Sequence, residues 1–178
     1  KIKNYSSTSY GYTDAWRDRT ITNRAFYLQD AWHMNNEWTL TTGIRTDNHS
    51  VYGRHNTPSV VLGYEASDNT NYYMSYKEFF ISPNQYQLYS SYGSLNLEPE
   101  TGKTIEFGVN HKFDKTFTGS FNIFKREAEN MIGFNSDTYK YYNVGEESAR
   151  GWDVQLTKQF NDNFSANVGY THLYIDPE

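Results

Sequence analysis

Glu37-Trp38-Thr39-Leu40-Thr41-Thr42-Gly43-Ile44-Arg45-Thr46-Asp47 is the stretch on which the reading of this chain turns. Successive side chains of an extended backbone point to opposite faces, so Trp38, Leu40, Thr42 and Ile44 share one side while Thr41, Gly43, Arg45 and Asp47 share the other. One face is greasy and the charges sit on the opposite one. Apolar residues seldom recur here at the three- and four-residue spacing of a helix, so the segment reads as a strand.

The same period recurs along the chain. Ile105, Phe107, Val109, His111 and Phe113 oppose Glu106, Gly108, Asn110 and Lys112, and Phe117, Gly119, Phe121 and Ile123 oppose Ser120, Asn122 and Arg126. Trp152, Val154 and Leu156 alternate with Asp153, Gln155 and Thr157, as Phe164, Ala166, Val168 and Tyr170 do with Ser165, Asn167 and Thr171. Shorter versions occupy Arg24 to Met34, Ser59 to Ala66 and Asn71 to Phe79. The expectation is an all-β chain of about eight strands in an antiparallel up-and-down meander.

The connections alternate in length. Asn35-Asn36, Ser67-Asp68-Asn69-Thr70, Asp114-Lys115-Thr116 and Asn161-Asp162-Asn163 are short polar hairpin turns. Longer loops are expected at Asn48 to Thr57, Ile81 to Gly102 and Glu127 to Ser148. Short turns on one rim and long loops on the other are the habit of transmembrane barrels. Aromatics frame each short turn: Trp32 and Trp38, Tyr64 and Tyr72, Phe113 and Phe117, Phe160 and Phe164. In a barrel these make one ring of the aromatic girdle.

Composition agrees. The 178 residues suit one domain, and 18% of them are aromatic, with 17 Tyr, 11 Phe and 4 Trp. Tyr and Trp pair an apolar ring with a polar tip and gather where a surface is half wet. The net charge of −5 and a pI near 5.5 leave no basic patch for nucleic acid. With no cysteine, neither a disulfide framework nor a thiolate metal site can form. No run of about 18 apolar residues offers a spanning helix, so a membrane would be met by strands. The mean hydropathy of −0.86 does not oppose this, because a barrel turns only alternate residues to lipid. Lys1 to Thr20 lacks strong periodicity and reads as a loop, and the arbitrary look of both ends suggests a piece of something longer.

Beyond the pattern, particular words stand out. Phe26-Tyr27-Leu28-Gln29-Asp30-Ala31-Trp32, a short turn, and a strand closing on Gly43-Ile44-Arg45-Thr46-Asp47 resemble a hairpin of TonB-dependent receptors. Tyr76 to Pro83, Leu88-Tyr89, and Leu95-Asn96-Leu97-Glu98-Pro99-Glu100-Thr101 before Glu106-Phe107-Gly108-Val109 resemble that family's extracellular loop and next strand. Glu127 to Ile132, Tyr142-Asn143-Val144 and Arg150-Gly151-Trp152-Asp153 are similar to its following strand ends. The resemblance runs from about Asn23 to Leu173. It implies a segment, from the C-terminal half, of a 22-stranded transmembrane β-barrel. Residues 1–20 would be an extracellular loop, and the plug, TonB box and C-terminal strands would lie outside this chain.

The resemblance further implies a bacterial outer-membrane transporter that binds and imports a scarce nutrient chelate. An iron–siderophore complex leads, with cobalamin or haem behind it, and TonB acts through the plug. Outer-membrane lipid would be the surrounding partner. Binding would draw on loop side chains, with Tyr86, Tyr89, Tyr92, Tyr139, Tyr141 and Tyr142 as candidates. Girdle and loop packing is the plainer role for the same rings.

His49 and His55 join the candidates because imidazole is a frequent ligand, but no third ligand stands at metal-site spacing, so no metal is expected. Haem is disfavoured, since the histidine that some haem receptors carry between their Phe-Arg-Ala-Pro and Asn-Pro-x-Leu words has no counterpart between Phe80 and Leu97. Glu98 with Glu100, and Glu146 with Glu147, are carboxylate pairs of the kind a glycosidase needs, though adjacent acids in loops are ordinarily solvated. Hydrolase and nucleotide motifs are absent, so no catalytic residues and no cofactor are expected. Two rival readings remain: an outer-membrane barrel enzyme, and a soluble tyrosine-rich sheet that binds other molecules.

Overall fold

The computed structural model describes residues 2–9 and 12–177, with side chains from residue 20 to 176. Two strands, β1 (Ile2–Ser9) and β2 (Tyr12–Arg19), pair as a hairpin separate from the main sheet. The expected loop over residues 1–20 falls largely there. Eight strands then form one sheet: β3 (Asn23–His33), β4 (Trp38–His49), β5 (Gly53–Ser67), β6 (Thr70–Ile81), β7 (Glu100–Asp114), β8 (Phe117–Glu129), β11 (Glu147–Asn161) and β12 (Phe164–Pro177). Every neighbouring pair is antiparallel, in the order β12-β11-β8-β7-β6-β5-β4-β3. This is the meander that alternation predicts. Between β8 and β11 lies a small two-stranded ribbon, β9 (Ile132–Asn135) with β10 (Lys140–Asn143), and between β6 and β7 a five-residue helix, α1 (Gln85–Tyr89).

Register shows why the pattern specifies this sheet. One rung across seven strands reads Trp32, Leu40, Leu62, Met74, Phe107, Ile123 and Trp152, each directly opposite the next. The adjacent rung on the other face reads His33, Thr39, Gly63, Tyr73, Gly108, Asn122 and Asp153. A one-residue slip of any strand would exchange the two sets, so pairing is strongly fixed. Aromatic stacking reinforces the greasy side near the short turns: Trp38 on Tyr64 with centroids 4.5 Å apart, Tyr64 on Tyr72, and Phe113 on Phe117 at 4.5 Å.

The sheet has no packed apolar interior. Leu88, Leu97 and Ala128 are the buried hydrophobic side chains among the described residues, and the two leucines belong to a loop. Met74 is 55% exposed and Ile123 48%, although both sit mid-strand on the greasy face. A soluble sheet would cover such a face. Toward the loop rim the opposite face lines a hollow of about 500 Å³ among Phe124, Arg126, Ala149, Leu173 and Ile175. In a closed barrel that face would be the inner one.

Aromatic rings lie flat along the inner wall over glycines of the next strand. Tyr73 covers Gly108, where even a methyl group would collide with the ring, and its hydroxyl donates to Glu106 at 2.7 Å. Asn122 donates to the same carboxylate at 2.8 Å, so three strands share one polar tie. At the short-turn rim Asp114 accepts from the Thr116 hydroxyl and backbone N–H, both at 2.7 Å, and from Lys158. These bonds favour its charged form and pull its pKa down to about 2.

One expected loop is not a loop. Asn48 to Thr57 is strand on both sides of a three-residue turn, Ser50-Val51-Tyr52, with His49 directly opposite Gly53. Gly53, at φ +75°, supplies the left-handed backbone that lets the chain reverse. The polar side chains of Arg54 to Thr57 hide the strand from any hydropathy pattern, while the ladder is made by the backbone, which needs no apolar side chain. The loops between β6 and β7 and between β8 and β11 are long, as expected.

If the greasy face meets hydrocarbon, Ile123→Arg should destabilise the full-length protein by about 2–4 kcal/mol. Ser120→Lys, on the inner face of the same strand, should stay within about 1 kcal/mol. Guanidinium unfolding in phospholipid vesicles checks the pair, and equal effects would reverse the assignment of faces.

Candidate functional site

The two long loops and the β4–β5 turn meet at one rim. Asn84 starts α1 by accepting from the Gln87 backbone N–H, while the Gln87 side chain accepts from the Asn84 N–H, both at 2.9 Å. This reciprocal cap fixes a helix too short to hold itself. Leu88 then turns inward and is buried together with Leu97. The Tyr52 hydroxyl donates to the Leu97 carbonyl at 3.0 Å, fastening the β4–β5 turn to the far end of this loop. Burial, with Tyr89 nearby, raises the pKa of the Tyr52 phenol and keeps it a donor.

The second loop is bound to the first. Asn143 on β10 accepts from the Glu98 N–H at 2.8 Å and donates to the carbonyls of Glu98 at 3.0 Å and Asn130 at 2.7 Å. Lys140 donates to the Ser91 carbonyl at 2.8 Å, and the Tyr141 N–H donates to the Tyr92 carbonyl at 2.9 Å. Glu100, at the foot of β7, accepts from the Ile132 N–H at 2.9 Å. Rings fill the seam: Tyr86 edge-on to Tyr141 at 6.2 Å, Tyr92 to Phe134 at 6.0 Å, and Phe134 to Tyr141 at 5.2 Å.

The candidate tyrosines therefore divide. Tyr86, Tyr92 and Tyr141 pack in the seam, and Tyr89 lies half-buried at the end of α1. Tyr139 and Tyr142 are exposed, at 62% and 45%, the first held in a left-handed turn at φ 52°. Leu95, in the first long loop, is exposed as well, at 72%, whereas Phe134 pairs with Tyr141 and shares its face of the β9–β10 ribbon.

The histidines are not on a loose loop together, as the sequence suggests, but on paired strands beneath a tight turn. His49 is buried, and its Nδ1 accepts from the backbone N–H groups of Val51 and Tyr52, each at 3.3 Å. His55 stacks on Phe80 with centroids 4.0 Å apart, and its Nε2 donates to the Tyr52 carbonyl at 3.0 Å. Close by, Asp47 is buried and holds Arg45 at 2.7 and 2.8 Å and the Asn23 amide at 2.6 Å, joining β3 to β4. The Gly-hydrophobic-Arg-x-Asp word thus places an ion pair two residues apart on one face of β4. Tyr52, Lys140 and Asn143 escape a reading by residue type, since their partners lie 45 to 49 residues away. Asn84-x-x-Gln87 was a legible cap.

If Asn143 is what ties the loops, Asn143→Ala in the full-length protein should lower local stability by about 1 kcal/mol and speed hydrogen exchange at Glu98 roughly fivefold. Mass spectrometry of residues 82–99 and 130–146 checks this, and unchanged exchange would show that ring packing alone suffices.

With this geometry, comparison with known proteins is informative. Residues 2–178 match the family described as TonB dependent receptor-like, beta-barrel. The vitamin B12 transporter BtuB of Vibrio cholerae is 34% identical over 129 residues, which are 70% of this chain and 20% of that protein. Among solved structures, the siderophore receptor PirA from Pseudomonas aeruginosa superposes with a TM-score of 0.76 at 22% identity, covering 93% of this chain and 33% of that one. The FrpB iron transporter from Neisseria meningitidis gives 0.68 at 17% identity, covering 92% and 26%. These structural likenesses speak for the fold, and the chain spans about a fifth of the length of the curated relatives it matches.

Proposed function

The chain belongs to the TonB-dependent receptor β-barrel family, and from that premise we propose that it forms part of an outer-membrane transporter that captures and imports a scarce nutrient chelate, foremost an iron–siderophore complex. Its family and relatives are receptors and transporters, and it is no enzyme. The observation that carries the proposal is the fused loop rim: two long loops and a turn bound into one ledge above the strands, with Tyr139 and Tyr142 exposed on it.

Flat aromatic rings beside backbone polar groups suit a bulky, partly aromatic chelate, which offers ring faces and a polar metal centre at once. Cargo would settle on this ledge and then pass through the lumen. Plug movement driven by TonB would open that path from a part of the protein outside this chain. Tyr86, Tyr89, Tyr92 and Tyr141 serve the site by shaping the ledge, as His49 and His55 do by shaping the turn beneath it. Cobalamin is the second reading, supported by the 34% identity with a vitamin B12 transporter.

The full-length protein in detergent should bind one of ferric siderophores, cyanocobalamin or haem in a fluorescence titration. Tyr139→Ala with Tyr142→Ala should weaken that binding about tenfold, the loss expected of a ring contact or two near 1.4 kcal/mol in total. Tyr64→Ala, at the opposite rim, should leave it unchanged. Binding of none of the three, or equal loss in both variants, would overturn the reading.

A further inference from the structure

The turn between β4 and β5 hangs on one imidazole. His49 closes β4 at the loop rim, directly opposite Asn23 of β3 on one side and Gly53 of β5 on the other, and is buried at 3% exposure. Its Nδ1 accepts from the backbone N–H groups of both Val51 and Tyr52, each at 3.3 Å, so this nitrogen carries a lone pair and the ring is neutral. The Tyr52 ring stacks on the imidazole with centroids 5.1 Å apart, and its hydroxyl reaches the Leu97 carbonyl at 3.0 Å. One lone pair thus positions the residue that clips the turn to the first long loop.

A proton on Nδ1 would turn that acceptor into a donor aimed at two N–H groups, and both bonds would be lost together. Ser50 would stay in place, since its N–H donates to the Thr22 carbonyl at 2.9 Å and its hydroxyl accepts from the Thr22 N–H at 3.1 Å. The break would fall on Val51 and Tyr52.

The groups around the ring decide when the proton arrives. β4 brings Asp47, two residues away, but Arg45 and the Asn23 amide of β3 already hold that carboxylate. β6 brings the Phe80 ring edge-on at 6.5 Å, and the first long loop brings Leu97 and the Tyr89 phenol, close to Tyr52. β5 brings His55, whose Nε2 donates to the Tyr52 carbonyl and whose ring lies on Phe80, and both contacts survive a second proton. Burial first, and then His55, hold the His49 pKa below its ordinary 6.5, with Asp47 pulling the other way. The held turn therefore binds the proton less readily than a released one. Its hold is complete above about pH 6.5 and weakens as pH falls through that value.

We propose that His49 is a proton-operated latch of the loop rim. Neutral, it fixes the β4–β5 turn against the first long loop. In mild acid it takes a proton, frees Val51 and Tyr52 and lets the turn part from Leu97, so a ledge that is tied at neutral pH loosens. The latch needs no cargo and would act on whatever the rim engages.

The test places a nitroxide at Val51→Cys, an exposed position of the turn, in full-length protein in detergent; this chain has no cysteine of its own, and any elsewhere in the protein is replaced. The mobile fraction of the spectrum should rise at least about threefold, reversibly, between about pH 7.5 and about pH 4.5. A label at Asn36→Cys, on the opposite rim, should not respond. His49→Asn, whose amide oxygen can accept from the same N–H groups and takes no proton, should keep the turn immobile throughout. His55→Gln should keep the transition and move its midpoint to higher pH, because a neighbouring charge is gone. The latch is overturned by no rise with His49 in place, by the same rise in His49→Asn, or by an equal rise at Asn36→Cys, which would mark a general loosening in acid. Should His49→Asn already be mobile at neutral pH, His55→Gln decides: an upward midpoint supports the latch and an unmoved one sinks it.

Discussion

A strand in hydrocarbon can place its backbone N–H and C=O groups nowhere except on another strand, and everything else in this chain follows from that constraint. It explains why eight strands run as one uninterrupted antiparallel ladder and why consecutive strands are always neighbours. Side chains are then free to divide by face, because the backbone alone supplies the cohesion. The division is sharp enough that one rung is apolar across seven strands while its neighbour carries Asn122 and Asp153. It also leaves β3 and β12 with an unpaired edge within this chain, which a closed barrel would satisfy with further strands.

Alternation made the fold legible wherever the strands carry a greasy face, and stopped doing so where that face ends. Trp38, Leu40 and Ile44 announce β4, whereas Arg54 to Thr57 carry no apolar beat and read as loop although they pair as regularly as the rest. The signal reports the solvent on each side of a strand, not the strand. α1 and the β9–β10 ribbon escape the pattern for a different reason: each is only four or five residues long, too short to show a period, and the one local signal is the Asn84–Gln87 cap of α1. The tyrosines of the rim were found by type and by loop. Their division into seam and surface was not legible, because Tyr86 meets Tyr141 and Tyr92 meets Phe134 only once the ladder has set the loops side by side.

The inner wall is built to a separate rule. Its rings lie over glycines, as Tyr73 does over Gly108, so an aromatic-rich sequence keeps a low relief on that face. Its polar groups are mostly amides and hydroxyls tied across strands, including Asn110 to Asn71 and Asn167 to Thr157. Fixed charges stand among them on the same face, at Lys77, Glu106, Lys112, Arg126 and Asp153. At the loop rim charge is tied in pairs, Arg45 with Asp47 on β4 and Lys103 with Glu127 across β7 and β8.

Asn143 binds two excursions of the chain at a single side chain, and Tyr52 binds a third. Three segments that could each have sampled many shapes are thereby joined into one unit. A guest arriving at this unit would find its conformational entropy already spent during folding, so more of the contact energy would remain as affinity. The same coupling carries a penalty for adaptability: an insertion in any one of the three segments would shift the other two, and selectivity would change in steps instead of drifting.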